Sequence, residues 1–195
     1  MSLNKEISKH IESIFEKSAK TFSDYQLNMG LPCLSGCGAC CLSQEISAST
    51  SEMLPSAFRI LNEEGIERVE ELLEELEGTP SKICVFYHRN SEDGTKGYCM
   101  NYSTRPAVCR SFGVAAYRDK SGSKTMSICK RLKETYPEEV KTLNPNEAPV
   151  IGDFAKQIYL LGQSSDARLM HINEALYEAL KKVWLGHTYG FNEDS

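Results

Sequence analysis

Cysteine is the residue type in this chain whose number and spacing could do chemistry. Eight occur in 195 residues, and Cys33, Cys37, Cys40 and Cys41 fall within nine, in Cys33-Leu34-Ser35-Gly36-Cys37-Gly38-Ala39-Cys40-Cys41. A hydrophobic core wants larger apolar side chains at regular spacing. Two glycines instead let the backbone turn tightly enough for several sulfurs to converge on one point. Cys84, Cys99, Cys109 and Cys129 follow at wide intervals. Zinc and iron both take thiolates in tetrahedral geometry, iron also as iron–sulfur clusters. Consecutive residues do not easily present both sulfurs to one tetrahedral ion, so Cys40 and Cys41 are expected to serve different ions or to include a bridging sulfur. Eight thiols then make either two closed four-sulfur sites or one shared cluster. For any single cysteine, Cys129 above all, the plain alternative is a small buried apolar side chain.

Composition decides whether such thiols pair with each other or with metal. The N-terminus, with charges every few residues, lacks the unbroken apolar segment of a signal peptide. A reducing, cytoplasmic location is therefore expected, where structural disulfides seldom persist and an even cysteine count reads as metal ligation. No apolar run approaches the ~20 residues that span a bilayer, so no membrane partner is expected. The net charge of −5 argues against nucleic acid as a partner. The expected partners are metal ions, with a protein docking on an exposed face as a further one.

The elements that must position the thiols read as a mainly helical α+β single domain, residues 1–195, with short β-hairpins gathered around a cysteine metal cluster at about 33–129. Helical flanks are expected over 4–29 and 150–186. The first rests on Ile7, Ile11, Ile14, Phe15, Phe22 and Tyr25 at three- and four-residue steps, ended by Gly30 and Pro32. Shorter helices are predicted within Glu52–Asn62, with Pro55 in the first turn, and over 66–77, ended by Gly78 and Pro80. Late helices are predicted near Asp153–Leu161 and over about 165–185, with Gly186 as cap and His187–Ser195 as a frayed tail.

Two hairpins are predicted. Ile83–Tyr87 and Gly97–Met100, joined by Asn90-Ser91-Glu92-Asp93-Gly94, would make neighbours of Cys84 and Cys99. Gly113–Arg118 and Lys124–Cys129, with Arg118 opposite Lys124, would bring Cys129 to Gly113 and towards Cys109. Between them, Ser103 and Thr104 before Pro106 mark a helix start, so Cys109 is expected in the first turns of a short helix, where amide dipoles favour a thiolate. Arg105 and Arg110 are placed to offset thiolate charge through N–H···S contacts around the site. Arg118 and Lys130 read as surface residues, His10 as a boundary residue and His88 as a polar loop residue.

Taken together, Cys33, Cys37, Cys40-Cys41, Cys84, Cys99-x-x-Tyr102-x-x-Arg105-Pro106-x-x-Cys109-Arg110-x-Phe112 and Cys129 resemble the bacterial YkgJ-type cysteine-cluster family, the CxxCxxCC zinc- or iron-chelating domain. The first gap here holds three residues where the family pattern has two. The resemblance implies metal chelation and a domain shared with flagellin lysine N-methylases.

Three functions fit these residues. The first is a zinc- or iron-binding protein with a polynuclear thiolate site, closed to substrate and serving structure or protein docking. The second is an iron–sulfur enzyme: Cys33-x3-Cys37-x2-Cys40 has the CxxxCxxC spacing of radical S-adenosylmethionine enzymes, but no repeated βα pattern or glycine-rich cofactor loop accompanies it. The third is a metal-handling or redox-sensing protein, since crowded thiols oxidise when the metal leaves.

Overall fold

A computed structural model describes residues 2–78, 82–161 and 166–190. Helix α1 (Ser2–Asn28) buries Ile11, Phe15 and Phe22, members of the predicted stripe. Gly30, at φ 68°, turns the chain, and the Leu31 amide returns to the Gln26 carbonyl at 2.8 Å. That reversal delivers the chain directly into the cysteine-rich loop.

Helix α2 (Thr50–Glu64) begins earlier than predicted because Ser49 and Glu52 form a capping box. The Ser49 amide donates to the Glu52 carboxylate at 3.0 Å, and the Glu52 amide donates to Ser49 Oγ at 3.3 Å. Pro55 consequently falls in the second turn, not the first. Helix α3 (Ile66–Gly78) ends at the predicted glycine, while Pro80 lies outside the described residues.

The late helix needs a larger correction. Helix α8 runs Ile172–Thr188, and the stretch before it, predicted as helical, contains strand β6 (Leu169–His171). This strand pairs antiparallel with β1 (Ser47–Ser49), Ala48 facing Met170, and the Ile172 amide extends the ladder to the Ile46 carbonyl at 3.0 Å. A partner some 120 residues away in sequence is invisible to helical periodicity. Gly186, predicted as a cap, is buried inside α8, which continues through the predicted tail residues His187 and Thr188; residues 191–195 lie outside the described ones. Helices α2, α3 and α8 enclose the largest apolar cluster, including Met53, Ile60, Leu72, Leu176 and Leu180.

The first hairpin joins β2 (Tyr87–Arg89) to β3 (Gly97–Cys99), with Tyr87 opposite Cys99. It is displaced from the predicted strand at Ile83 because the backbone of 83–85 is taken by α8. Asn173 accepts from the Val85 amide at 3.0 Å and donates to the Ile83 carbonyl at 2.9 Å. Cys84 therefore precedes the strand instead of lying on it. Helix α4 (Ala107–Arg110) is capped at Pro106, without a side-chain cap from Ser103 or Thr104.

The second hairpin, β4 (Val114–Arg118) with β5 (Lys124–Ile128), has the predicted register, Arg118 facing Lys124. Two short helices not expected from the sequence follow, α5 (Lys130–Thr135) and α6 (Pro137–Lys141). Helix α7 (Ile151–Leu161) completes the elements, and the fold is mainly helical α+β. Among the described residues, no helix is long and apolar enough to cross a membrane.

Candidate metal centre

The cysteine-rich loop has little regular structure of its own and is held in shape by the first hairpin. The Gly38 amide donates to the Thr95 carbonyl at 3.2 Å, the Gly97 amide donates to the Gly36 carbonyl at 3.0 Å, and Cys37 bridges to Lys96. Local turns do the rest: Cys37 N–H to Leu34 C=O at 3.2 Å, Cys41 N–H to Gly38 C=O at 2.9 Å and Ser43 N–H to Cys40 C=O at 3.2 Å. Glycine at 38 is required by contact, because a Cβ there would overlap the buried Tyr87 ring.

These bonds, with the loops before β2 and after β3, gather five thiols around one small cavity. Cys40, Cys41, Cys84, Cys99 and Cys109 line it, with Arg105, Asn101 and Ile172. Its volume of about 30 Å³ admits a single ion or about one water. Next to it opens a cleft of about 360 Å³, lined by Cys33 and Cys37 as well as Cys40, Cys41, Cys99 and Cys109. Cys129 lines neither. It caps α5, its amide donating to the Gly113 carbonyl at 2.8 Å, and it packs on the cluster of Leu31, Val114 and Leu132. The predicted hairpin geometry thus forms, but it does not carry Cys129 into the cavity that Cys109 lines.

The Cys40 and Cys41 sulfurs lie 4.0 Å apart. A tetrahedron of thiolates about 2.3 Å from an ion has edges of about 3.8 Å. Adjacency in sequence therefore does not by itself separate these two sulfurs, contrary to the sequence argument.

Electrostatics distinguish the thiols. Burial pushes Cys84 up to about 12 and also raises Cys99 and Cys109. For Cys109 desolvation outweighs any gain from its place in α4. The hydrogen bond between the neighbours holds Cys40 down to about 7 and raises Cys41, with Arg105 also favouring the Cys40 thiolate. A pocket that desolvates thiols this strongly keeps most of them protonated until a cation displaces the protons.

Arg105 tests whether a thiolate-bound metal suits the site. Its guanidinium stacks 3.8 Å from the Tyr102 ring centroid and borders both cavities, yet its buried Nε has no hydrogen-bond acceptor. An N–H buried among thiols and left unpaired is costly, and metal-bound thiolates are the acceptors it lacks. The donor set, the cavity volume and this orphaned N–H all fit a zinc or iron centre. Among the described residues, no three His, Cys, Asp or Glu side chains already stand in position to hold an ion, so binding must draw the sulfurs together.

Arg110 also borders the cleft, but its N–H groups go to backbone carbonyls. It donates to the Arg105 carbonyl at 2.9 Å and to the Ser103 carbonyl at 2.5 Å, and packs on the Phe15 ring. Desolvation and the charge of Arg105 bring it down to about 10. Its part is to fix the loop that presents Arg105.

Several supporting residues carried no signal in the sequence. Asn101, almost fully buried, donates to Ser56 Oγ at 2.6 Å and accepts from Arg59 Nε at 2.9 Å and from Thr104, tying the loop after Cys99 to α2. Gln26 donates to the Phe112 carbonyl at 3.0 Å, joining α1 to the segment after Cys109. Each is an ordinary polar residue that makes a decisive bond to a partner 42 or more positions away.

Comparison with known families matches residues 32–135 to the family described as CxxCxxCC, a putative zinc- or iron-chelating domain. No curated protein and no solved structure matches the chain.

Proposed function

We propose, since this chain belongs to the CxxCxxCC family whose match covers more than half of it, that it binds zinc or iron through a polynuclear thiolate site. The ligands are drawn from Cys33, Cys37, Cys40, Cys41, Cys84, Cys99, Cys109 and Cys129. Arg105 lies around them as a charge-balancing donor, and Arg110 holds the Arg105 loop. The observation that carries this reading is a small cavity bordered by five cysteines from four separate segments, with the unpaired Arg105 Nε beside them. Bound metal would cross-link these segments. Its binding energy would then appear as folding energy of the loops.

Elemental analysis and an absorption spectrum, on protein purified without oxygen, test the reading. About two zinc ions per chain without visible absorbance would mean two closed thiolate sites. Protein that takes up neither zinc nor iron would sink the proposal. An iron–sulfur enzyme related to flagellin lysine N-methylases is a second reading. It is favoured by the open cleft beside the thiols, which gives a small molecule access to them. Acid-labile sulfide with a broad band near ~400 nm would select it.

A further inference from the structure

The cleft beside the thiols has an unusual balance of charge. Arg105 and Arg110 line it, and none of the chain's 27 Asp and Glu residues does. Among the described residues, the ion pairs of arginine belong to Arg59, Arg68 and Arg118. Arg110 is held by backbone carbonyls and the Phe15 ring. Arg105 has only the Tyr102 ring, 3.8 Å from its guanidinium carbon to the centroid. Its Nε is buried and unpaired, whereas its two terminal nitrogens are neither buried nor hydrogen-bonded among the described residues. Around these cations the lining turns apolar. Leu27 is 62% exposed, Tyr98 51% and Tyr102 62%, and all three border the cleft. A volume of about 360 Å³ with apolar walls and a few polar groups is that of a small-molecule site.

We infer that the cleft binds a small carboxylic acid with an apolar body, its carboxylate on the terminal N–H groups of Arg105 and its body against Leu27 and Tyr98. A guanidinium presents two parallel N–H donors that match the two oxygens of a carboxylate. Tyr102 fixes the plane of that fork. Because Arg110 is bonded to carbonyls, a single fork is available, which suits one singly charged group better than a doubly charged phosphate. The absence of any lining carboxylate leaves the fork without a competitor inside the cleft. The buried Nε remains for the thiolates of a bound metal, so one guanidinium serves both sites. The carboxylate site takes nothing from the thiols and stands apart from the chelation reading.

Phenylacetate is the probe, with phenylacetamide as its uncharged match and phenyl phosphate as its doubly charged one. Each is titrated into the full reduced, zinc-treated chain, and the backbone amide signals are followed by NMR. Phenylacetate at millimolar concentration should shift the signals of Gly97 and Tyr98, and phenylacetamide should leave them in place. Arg105→Lys keeps the charge but loses the fork, and should weaken binding by about tenfold or more. Tyr98→Ala removes a ring packed on His88 at 4.9 Å, apart from the Arg105–Tyr102 pair, and should weaken binding severalfold with zinc content unchanged. Equal shifts with phenylacetamide would overturn the site, as would no shift with phenylacetate or unchanged affinity in Arg105→Lys. Tighter binding of phenyl phosphate would overturn the choice of carboxylate. Zinc content is read on the same samples. A chain that holds no zinc yet binds phenylacetate sinks chelation alone and leaves this site standing.

Discussion

The helical core and the thiol region are built on opposite principles. Helices α2, α3 and α8 meet through side chains such as Met53, Ile60, Leu72, Leu176 and Leu180, all fully or almost fully buried, and the burial of apolar area holds them together. The segments that carry seven of the thiols, residues 33–46 and 82–110, have two three-residue strands, one four-residue helix and turns. Their interior is a cavity bordered by sulfur, a half-buried arginine, an asparagine and apolar residues of the core. The first region has no need of a ligand. In the second, the desolvated thiols and the unpaired Arg105 N–H are costs that a bound cation relieves. The two regions share a border, since Cys84 and Phe86 are part of the main core cluster.

The largest effect should come from breaking the core. Leu176→Ala removes a fully buried side chain and is expected to cost about 2–5 kcal/mol. The loss should be similar in chelator-treated and zinc-loaded protein, measured by denaturant unfolding. A penalty that vanished on adding zinc would show that the core too depends on the metal.

Gly38→Ala should act on the other side of the comparison. Its Cβ would collide with the Tyr87 ring, an overpacking expected to cost about 1–3 kcal/mol. It should also weaken zinc binding, because Gly38 anchors the loop to Thr95. Zinc affinity equal to that of the unmodified chain, in a competition titration, would detach the hairpin from the site.

The smallest effect is a pH dependence of the hairpin loop. Asp93 accepts from Ser91 Oγ at 2.6 Å and from the Thr95 amide at 3.0 Å, which lowers it from 3.8 to about 2. A carboxylate depressed in the folded state stabilises it above pH ~4 and loses that contribution as pH falls towards ~2. Protection of the Thr95 and Lys96 amides against hydrogen exchange, relative to their intrinsic rates, should therefore fall over that interval, beyond the change at amides within α8. Equal protection at pH 5 and pH 2 would remove Asp93 from the account.

Much of the core was legible because its signals are local. The apolar steps of α1 and of α3, and the turn residues of the β4–β5 hairpin, act over a few positions, and those elements stand where they were expected. Expectation failed where a distant partner decided. Asn173 claims the backbone of 83–85 and displaces the first hairpin, and β1 draws Leu169–His171 out of helix. The Ser49–Glu52 capping box that lengthens α2 was a local signal left unread. The cysteines announced the chemistry by number and crowding, whereas Tyr87, Asn101 and Gln26, which hold them in place, did not.

By itself the sequence determined the kind of site and the family, because thiol chemistry is a property of residue type and the motif is written in residue order. Only the tertiary structure decided which thiols share a cavity, that Arg105 faces them while Arg110 holds its loop, and that Cys129 packs apart. The physical reason is range. A side chain's chemistry travels with the residue, but its neighbours, burial and unpaired atoms depend on segments that the fold brings together across most of the chain.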